Sequence, residues 1–192
     1  MAYSGVADRQ SYVSSSGRKW EDHVMHFINS SFEKSRSPLR VIRGRSIAKD
    51  SRLWRELAIP ITRVETDGLV EGDLDLVVIR TDTPDKPIAV ISCKTSLHGR
   101  FSETLFYALV WKKMLPALMV VFATTDKGRQ AKRGVWESEW GTPQKPTKDR
   151  LLAEEYLDGV YVANEKTHVG GRIRRVGELP RDLEKWASPS QR

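Results

Sequence analysis

Cysteine is almost missing from this chain: Cys93 is the only one in 192 residues. A single cysteine excludes an internal disulfide and a cysteine-based zinc site, and it suits a reducing compartment. Long apolar runs are missing too. The longest candidate, residues 115–123, falls short of the roughly 20 residues a membrane span requires and reads as a buried strand. Residues 1–16 are polar and Ser-rich, either a flexible arm or a short helix, without an apolar signal-peptide core. A cytoplasmic protein with no membrane contact is therefore expected. Histidine is scarce. His23 and His26 stand three apart on a predicted helix without a matching third ligand, and His168 is isolated, so a histidine metal centre is not expected. No Gly-rich phosphate loop of the Walker type and no internal repeat occurs.

What is present is a folded, basic composition. Hydrophobic residues make up 39% and charged residues 30%, with six Trp and five Phe, which argues for one core and one domain over residues 1–192. The net charge of +7 favours a polyanionic partner. Its distribution says more. Residues 36–56 carry Arg36, Arg40, Arg43, Arg45, Lys49, Arg52 and Arg55 against only Asp50 and Glu56. Smaller clusters follow at Lys127, Arg129, Lys132 and Arg133, and at Arg172, Arg174 and Arg175. Each alone reads equally as a solvated face; together with the site below they point to phosphate contacts.

The periodicity predicts a helix over residues 17–33, with Trp20, Val24, Phe27, Ile28 and Ser31 recurring at helical spacing. A short strand follows at 39–43, then a basic helix over 47–57 that stops before Pro60. Leu74, Leu76, Val77, Val78 and Ile79 read as a strand, the Pro- and Asp-rich stretch 82–87 as a turn, and 88–93 as a second, antiparallel strand. Ser102 can N-cap a helix to residue 115, with Leu105, Phe106, Leu109 and Val110 inward. Residues 118–122 then form a strand parallel to the second one, through a right-handed crossover. Beyond Asp126 the pattern weakens into a loop-rich stretch, with a helix near 150–156, a strand at 159–163, a turn at Gly170 and Gly171, and a terminal helix at 179–186. Trp136 and Trp140 read as core residues, with stacking on nucleic acid as the alternative.

Asp73 and Asp75 stand two apart where the first central strand begins, a spacing that puts both carboxylates on one face. Such a pair can grip a hard cation such as Mg2+. Lys94 ends the next strand. Hairpin pairing brings its ammonium toward the aspartates, where it can orient a water nucleophile or stabilise charge on a phosphorus centre. The backbone carbonyl of Cys93 is a spare oxygen ligand. The thiol itself reads as a small buried hydrophobe.

The run Gly72-Asp73-Leu74-Asp75-Leu76-Val77-Val78, a turn, and then Ile91-Ser92-Cys93-Lys94 resembles the active-site hairpin of the PD-(D/E)XK nucleases. Asp75 matches the Asp of that pattern and Lys94 its Lys. The resemblance covers residues 17–125 and implies an α/β, restriction-endonuclease-like core, a central mixed β-sheet flanked by helices. Two positions depart from the pattern: Leu74 stands where a proline precedes the Asp, and Ser92 where a second acid belongs. Some relatives draw that acid from the following helix, which makes Glu103 a candidate catalytic and metal-binding residue; a helix-dipole acid is the plainer reading. Glu21 is another. It lies on the face of Val24, Met25, Ile28 and Phe32, and Gly17-Arg18-Lys19-Trp20-Glu21 resembles the first helix of many such nucleases.

The resemblance implies a Mg2+-dependent, sequence-specific endonuclease for double-stranded DNA of the type II restriction class, with Mn2+ able to substitute. A palindromic site implies a homodimer. Ser96, His98, Arg100, Arg43, Arg45, Lys127 and Arg129 are the expected DNA contacts, His98 reading equally as a plain loop residue. Residues 126–192 are expected to serve specificity or dimer contacts. A junction resolvase of the same fold, a DNA-binding protein with a dead site at Ser92, and an RNA-binding protein using residues 36–55 are the competing readings.

Overall fold

The structure, a computed structural model, describes residues 4–61, 68–97, 100–130 and 135–188, and His98 lies outside that set, as do Lys132 and Arg133. The elements run α1 (Ser4–Ser35), β1 (Leu39–Arg43), α2 (Arg52–Leu57), β2 (Ile59–Ile61), β3 (Gly68–Val70), β4 (Leu76–Arg80), β5 (Pro87–Lys94), α3 (Phe101–Met114), β6 (Met119–Thr124), β7 (Arg129–Gln130), β8 (Trp136–Glu137), α4 (Lys148–Tyr156), β9 (Gly159–Val162), β10 (Ile173–Arg175) and α5 (Leu179–Ala187).

Six strands form one mixed sheet in the order β1-β4-β5-β6-β9-β10. The pairs β1–β4 and β4–β5 are antiparallel, whereas β5, β6, β9 and β10 run parallel. The central strands are buried on both faces, as their near-continuous apolar runs require. One face packs Val77, Val90, Val120, Phe122 and Val160 against α2, α3 and α4. The other packs Leu76, Val78, Ile91, Val121 and Tyr161 against α1 and α5. The molecule is thus a sheet between two helical layers, the mixed sheet flanked by helices that the hairpin motif implied.

Helix α1 crosses the second face on Trp20, Val24, Met25, Ile28 and Phe32. The Trp20 indole nitrogen donates to the Ala123 carbonyl at 3.0 Å, which fixes the helix against β6. Among the described residues no helix is long and apolar enough to cross a membrane.

Four expectations need correction. The helix predicted over 47–57 shortens to α2, because Ser51 caps it: its hydroxyl accepts the Trp54 N–H at 3.1 Å. Ser102 does not cap α3; Arg100 holds the cap position, without a side-chain bond. The inward face of α3 is rotated from that predicted. Phe101, Thr104, Leu105, Ala108 and Trp111 are buried, whereas Phe106 and Leu109 are 58% and 50% exposed. Apolar residues ring this helix, so its partners choose the face, above all Trp111, whose indole donates to the Leu57 carbonyl at 2.9 Å. Finally, β9 is the strand expected at 159–163, but β10, which extends the sheet beyond it, was not foreseen.

Candidate active site

The site forms where β4 begins and β5 ends. These strands are antiparallel, with Leu76 opposite Ile91, so the residues before β4 lie beside the last residues of β5. Asp73 and Asp75 precede β4 and do not share a strand face as the spacing suggested. They are brought to Lys94 by the backbone path of residues 72–75. The Lys94 ammonium donates to Asp73 Oδ2 at 2.7 Å and stands 3.0 Å from Asp75 Oδ2. Asp75 Oδ2 also accepts the Cys93 N–H at 2.7 Å.

Two glycines make that path available. The Gly44 N–H donates to the Asp75 carbonyl at 3.0 Å. A Cβ on Gly44 would stand 2.0 Å from the Leu74 carbonyl oxygen, and one on Gly72 would stand 2.6 Å from the Trp111 ring. The lead-in to Asp75 is therefore threaded between the end of β1 and a buried tryptophan, with no room for a side chain at either contact.

The Lys94 side chain is 7% exposed and Asp75 18%. Burial opposes the charge on Lys94, yet Asp75 and Asp73 more than offset it and hold its pKa above the ordinary lysine value. Burial raises the Asp75 pKa; Lys94 and the Cys93 N–H only partly counter it, and Asp73 adds repulsion. Glu21 reaches this cluster from α1. Its pKa is also raised, first by burial and next by Asp75, against the pull of Arg45 and Arg43. The Lys94 ammonium thus faces Asp73 and Asp75, while Glu21 lies beside Asp75 under the pull of Arg43 and Arg45, and the repulsion between Asp75 and Glu21 leaves a demand for positive charge.

That demand, with the chemistry of the donors, fits a divalent cation. Asp75, Glu21 and the Cys93 carbonyl supply oxygen ligands of the kind Mg2+ takes. Among the described residues no three His, Cys, Asp or Glu side chains converge on one point. Such an ion would therefore complete its shell with water and substrate oxygens, as Mg2+ commonly does.

Glu103 is not brought into the cluster. It lies exposed in the first turn of α3, which turns Thr104 inward instead. Thr104 Oγ1 meets Ser92 Oγ at 2.9 Å, so the position where the motif carries its second acid holds a buried, mutually satisfied hydroxyl pair. Cys93 is buried, and burial pushes its thiol pKa well up, as suits an inert side chain.

A family model described as "BsaWI restriction endonuclease type 2" matches residues 47–182, more than half of the chain. The chain belongs to this restriction endonuclease family. It is 30% identical over 115 residues to "Putative type II restriction enzyme MjaVIP" of Methanocaldococcus jannaschii, an alignment covering 58% of this chain and 48% of that protein. The chain thus spans about half the length of that relative. Among solved structures, the restriction endonuclease AgeI in a specific DNA complex matches with a TM-score of 0.67 and 19% identity, over 93% of this chain and 69% of that one. BsaWI in a pre-specific DNA complex matches with a TM-score of 0.55 and 15% identity, over 95% and 65%. At these identities the two structures speak for the fold alone.

Strands β1, β5 and β6 run in the same direction, so the remaining expected residues, which follow them, lie on one edge of the sheet. Ser96 is half-buried just after β5, Arg100 is exposed at the start of α3, and Arg45, Lys127 and Arg129 are exposed. Arg43 is committed: it bonds Asp22 at 2.6 Å and stands 3.7 Å from Glu21, so it orders the α1 carboxylates and is not a free cation. The cluster of Arg172, Arg174 and Arg175 is structural. These guanidiniums bond the Leu157 carbonyl, Asp182, and the carbonyls of Asn164, Glu165 and Thr167. Trp140 is core, edge-on to Phe101 and Phe122, whereas Trp136 is half-buried at the surface.

Two outcomes follow. Gly44→Ala is expected to displace the Asp75 peptide, lowering stability by about 1–3 kcal/mol and any cleavage rate by roughly 100-fold; urea unfolding and a rate assay check both. Wild-type values in both would mean the lead-in yields freely. Glu21→Gln removes a carboxylate whose pKa is raised on folding. The charged form therefore costs stability at neutral pH, and the cost fades as pH falls through the folded pKa. The variant is expected to melt roughly 2–4 °C higher without metal at neutral pH, about 1 kcal/mol, and the gain should vanish in acid. A lower melting temperature at neutral pH would contradict the electrostatic account.

Proposed function

We propose that this protein is a Mg2+-dependent, sequence-specific endonuclease for double-stranded DNA, a type II restriction enzyme, with Mn2+ able to replace Mg2+. The observation that carries this reading is the buried Lys94 held between Asp73 and Asp75 at the end of the β4–β5 hairpin, in a chain of a restriction endonuclease family. The DNA complexes formed by AgeI and BsaWI support DNA as the partner.

In this reading Asp75, Glu21 and the Cys93 carbonyl hold the divalent cation, with Asp73 beside them. Bound there, the cation supplies a Lewis acid for the scissile phosphate and lowers the pKa of water. Lys94, kept protonated by its two carboxylates, does not take the proton from the nucleophile. It donates hydrogen bonds that position the attacking water, and its charge offsets the negative charge that grows on the phosphate oxygens. Asp73 holds the ammonium in place. Glu103, exposed on α3, has no part in the step.

A palindromic target calls for a two-fold homodimer, each subunit cutting one strand. Phe106 and Leu109, one helical turn apart and exposed on α3, are the apolar residues best placed to be covered by a second copy.

The test is digestion of a plasmid and a phage genome with Mg2+. Discrete fragments are expected from the wild type and from Glu103→Gln, and none from Lys94→Ala or Asp75→Asn, which should lose at least roughly 1,000-fold in rate. Retardation of DNA without any cutting would favour a binding protein with a dead site. Light scattering checks the assembly: twice the chain mass is expected for the wild type, and a monomer for Phe106→Glu with Leu109→Glu.

A further inference from the structure

The catalytic edge continues past Lys94. Because β5, β6 and β9 are parallel, the segments that follow them emerge on the same edge of the sheet. Two cavities lie among those segments and share Arg129. One, of about 460 Å3, is lined by Leu97, Ser102, Glu139 and Lys148, starting three residues beyond Lys94. The other, of about 370 Å3, lies between the β7–β8 hairpin and the loop after β9, and is lined by Trp136, Lys145, Lys166 and His168. Its one carboxylate, Glu137, stands 3.5 Å from Arg129. Among the described residues neither Lys145 nor Lys166 has an ion-pair partner.

The walls of the second cavity are held more firmly than a solvated loop needs. Arg150, 1% exposed, donates from α4 to the carbonyls of His168 at 3.0 Å and Gly170 at 2.8 Å. Arg175 donates to the carbonyls of Asn164 at 2.6 Å, Glu165 at 3.0 Å and Thr167 at 2.8 Å. Asp126 is wholly buried. Its carboxylate accepts Ser138 Oγ at 2.6 Å, Glu139 N–H at 3.1 Å, Gly128 N–H at 3.2 Å and the Thr167 hydroxyl. One carboxylate thus ties together the segment after β6, the end of the β7–β8 hairpin and the loop after β9. These three charged side chains fix the backbone that carries Lys166, and Lys145 faces it from a turn closed by its own backbone bonds with Thr142. Cations on a rigid frame lose little entropy on meeting an anion.

We propose that this second cavity binds a backbone phosphate of the DNA substrate through Lys145 and Lys166, with Trp136 as its wall. The inference rests on the nuclease reading above and adds a contact to it. Strand β9 lies two strands from β5, about 10 Å away, so the loop after it borders the same edge on which a duplex at Lys94 would lie. The cationic lining recognises phosphate, which every sequence carries, and contributes affinity and register, not base readout.

The test is binding of labelled duplexes, followed by fluorescence anisotropy without added metal across a series of salt concentrations. Wild type is compared with Lys145→Ala/Lys166→Ala; both lysines are exposed, and circular dichroism confirms the fold. The variant is expected to bind more weakly by the same factor on duplexes of different sequence. The slope of log K against log salt should fall by about 0.9, the value for one phosphate contact. An unchanged slope and affinity, with wild type binding normally, would overturn this inference and leave the nuclease reading intact. A loss confined to one sequence would replace phosphate contact with base readout and also overturn it. Wild type that binds no duplex at any salt would sink the nuclease reading itself.

Discussion

An ammonium buried at the end of a central strand is the constraint from which the rest of this site follows. Lys94 closes β5 with its side chain almost out of reach of solvent, and β5 is the strand around which the sheet is ordered. A charge in that position requires opposite charge within hydrogen-bond reach. Asp73 and Asp75 supply it, but neither belongs to a strand whose pairing would deliver it. Their segment must be steered there by contacts along its backbone. Gly44 lets the end of β1 come against Leu74 and bond the Asp75 carbonyl, and Gly72 lets the chain lie on Trp111. Trp111 is in turn anchored to α2 through Leu57. Four elements distant in sequence thus converge on one ion cluster.

The topology extends this logic beyond the cluster. Parallel strands end on the same side, so placing the Lys94 ion cluster at the end of β5 brings the segments after β6 and β9 to the same edge. Loops on a rigid scaffold are where binding residues accumulate. Here the scaffold reaches into the loops themselves. Arg150, Arg175 and Asp126 spend their hydrogen bonds on loop carbonyls, hydroxyls and amides. The basic residues of the C-terminal part therefore divide into those that build the edge and those left to present charge from it. Sequence clustering gives no sign of that division.

How much was legible in the sequence follows the same line between local and distant interactions. Strand β1, the β4–β5 hairpin and the parallel partnership of β5 with β6 were readable, because alternation, apolar runs and turn residues are local signals. Asp75, Lys94 and the inward face around Glu21 were readable for the same reason. The face of α3 was not: with Phe101, Leu105, Phe106, Leu109, Val110 and Trp111 around the helix, periodicity has no preferred direction, and contacts with Leu57 and Ser92 decide. Strand β10 was hidden because Ile173-Arg174-Arg175 is short and basic, and only one of its three residues is buried. Gly44 carried no signal, since its neighbour Leu74 lies thirty positions away. Asp126 carried none either, as its partners span residues 128–167 and its backbone is left-handed, with φ of 50°.

The departure at Ser92 is best understood as a matter of charge balance. A carboxylate there would sit on a buried strand position facing Thr104, beside a cluster that already sets Asp73 and Asp75 against one ammonium. The hydroxyl pair removes that charge at no cost in unsatisfied polar atoms, since each oxygen finds the other. In the proposed site the negative charge that a cation needs comes from the opposite layer. Glu21 is carried by α1, which is held in place by Trp20 against β6, and its approach is tempered by Arg43 and Arg45. On that proposal, taking the acid from a helix instead of the strand leaves the local motif incomplete while the site keeps its carboxylates. It also makes the site depend on the docking of α1. An ion centred between Asp75 and Glu21 would link the sheet to its covering helix, so that occupancy of the site and the integrity of that layer become one equilibrium.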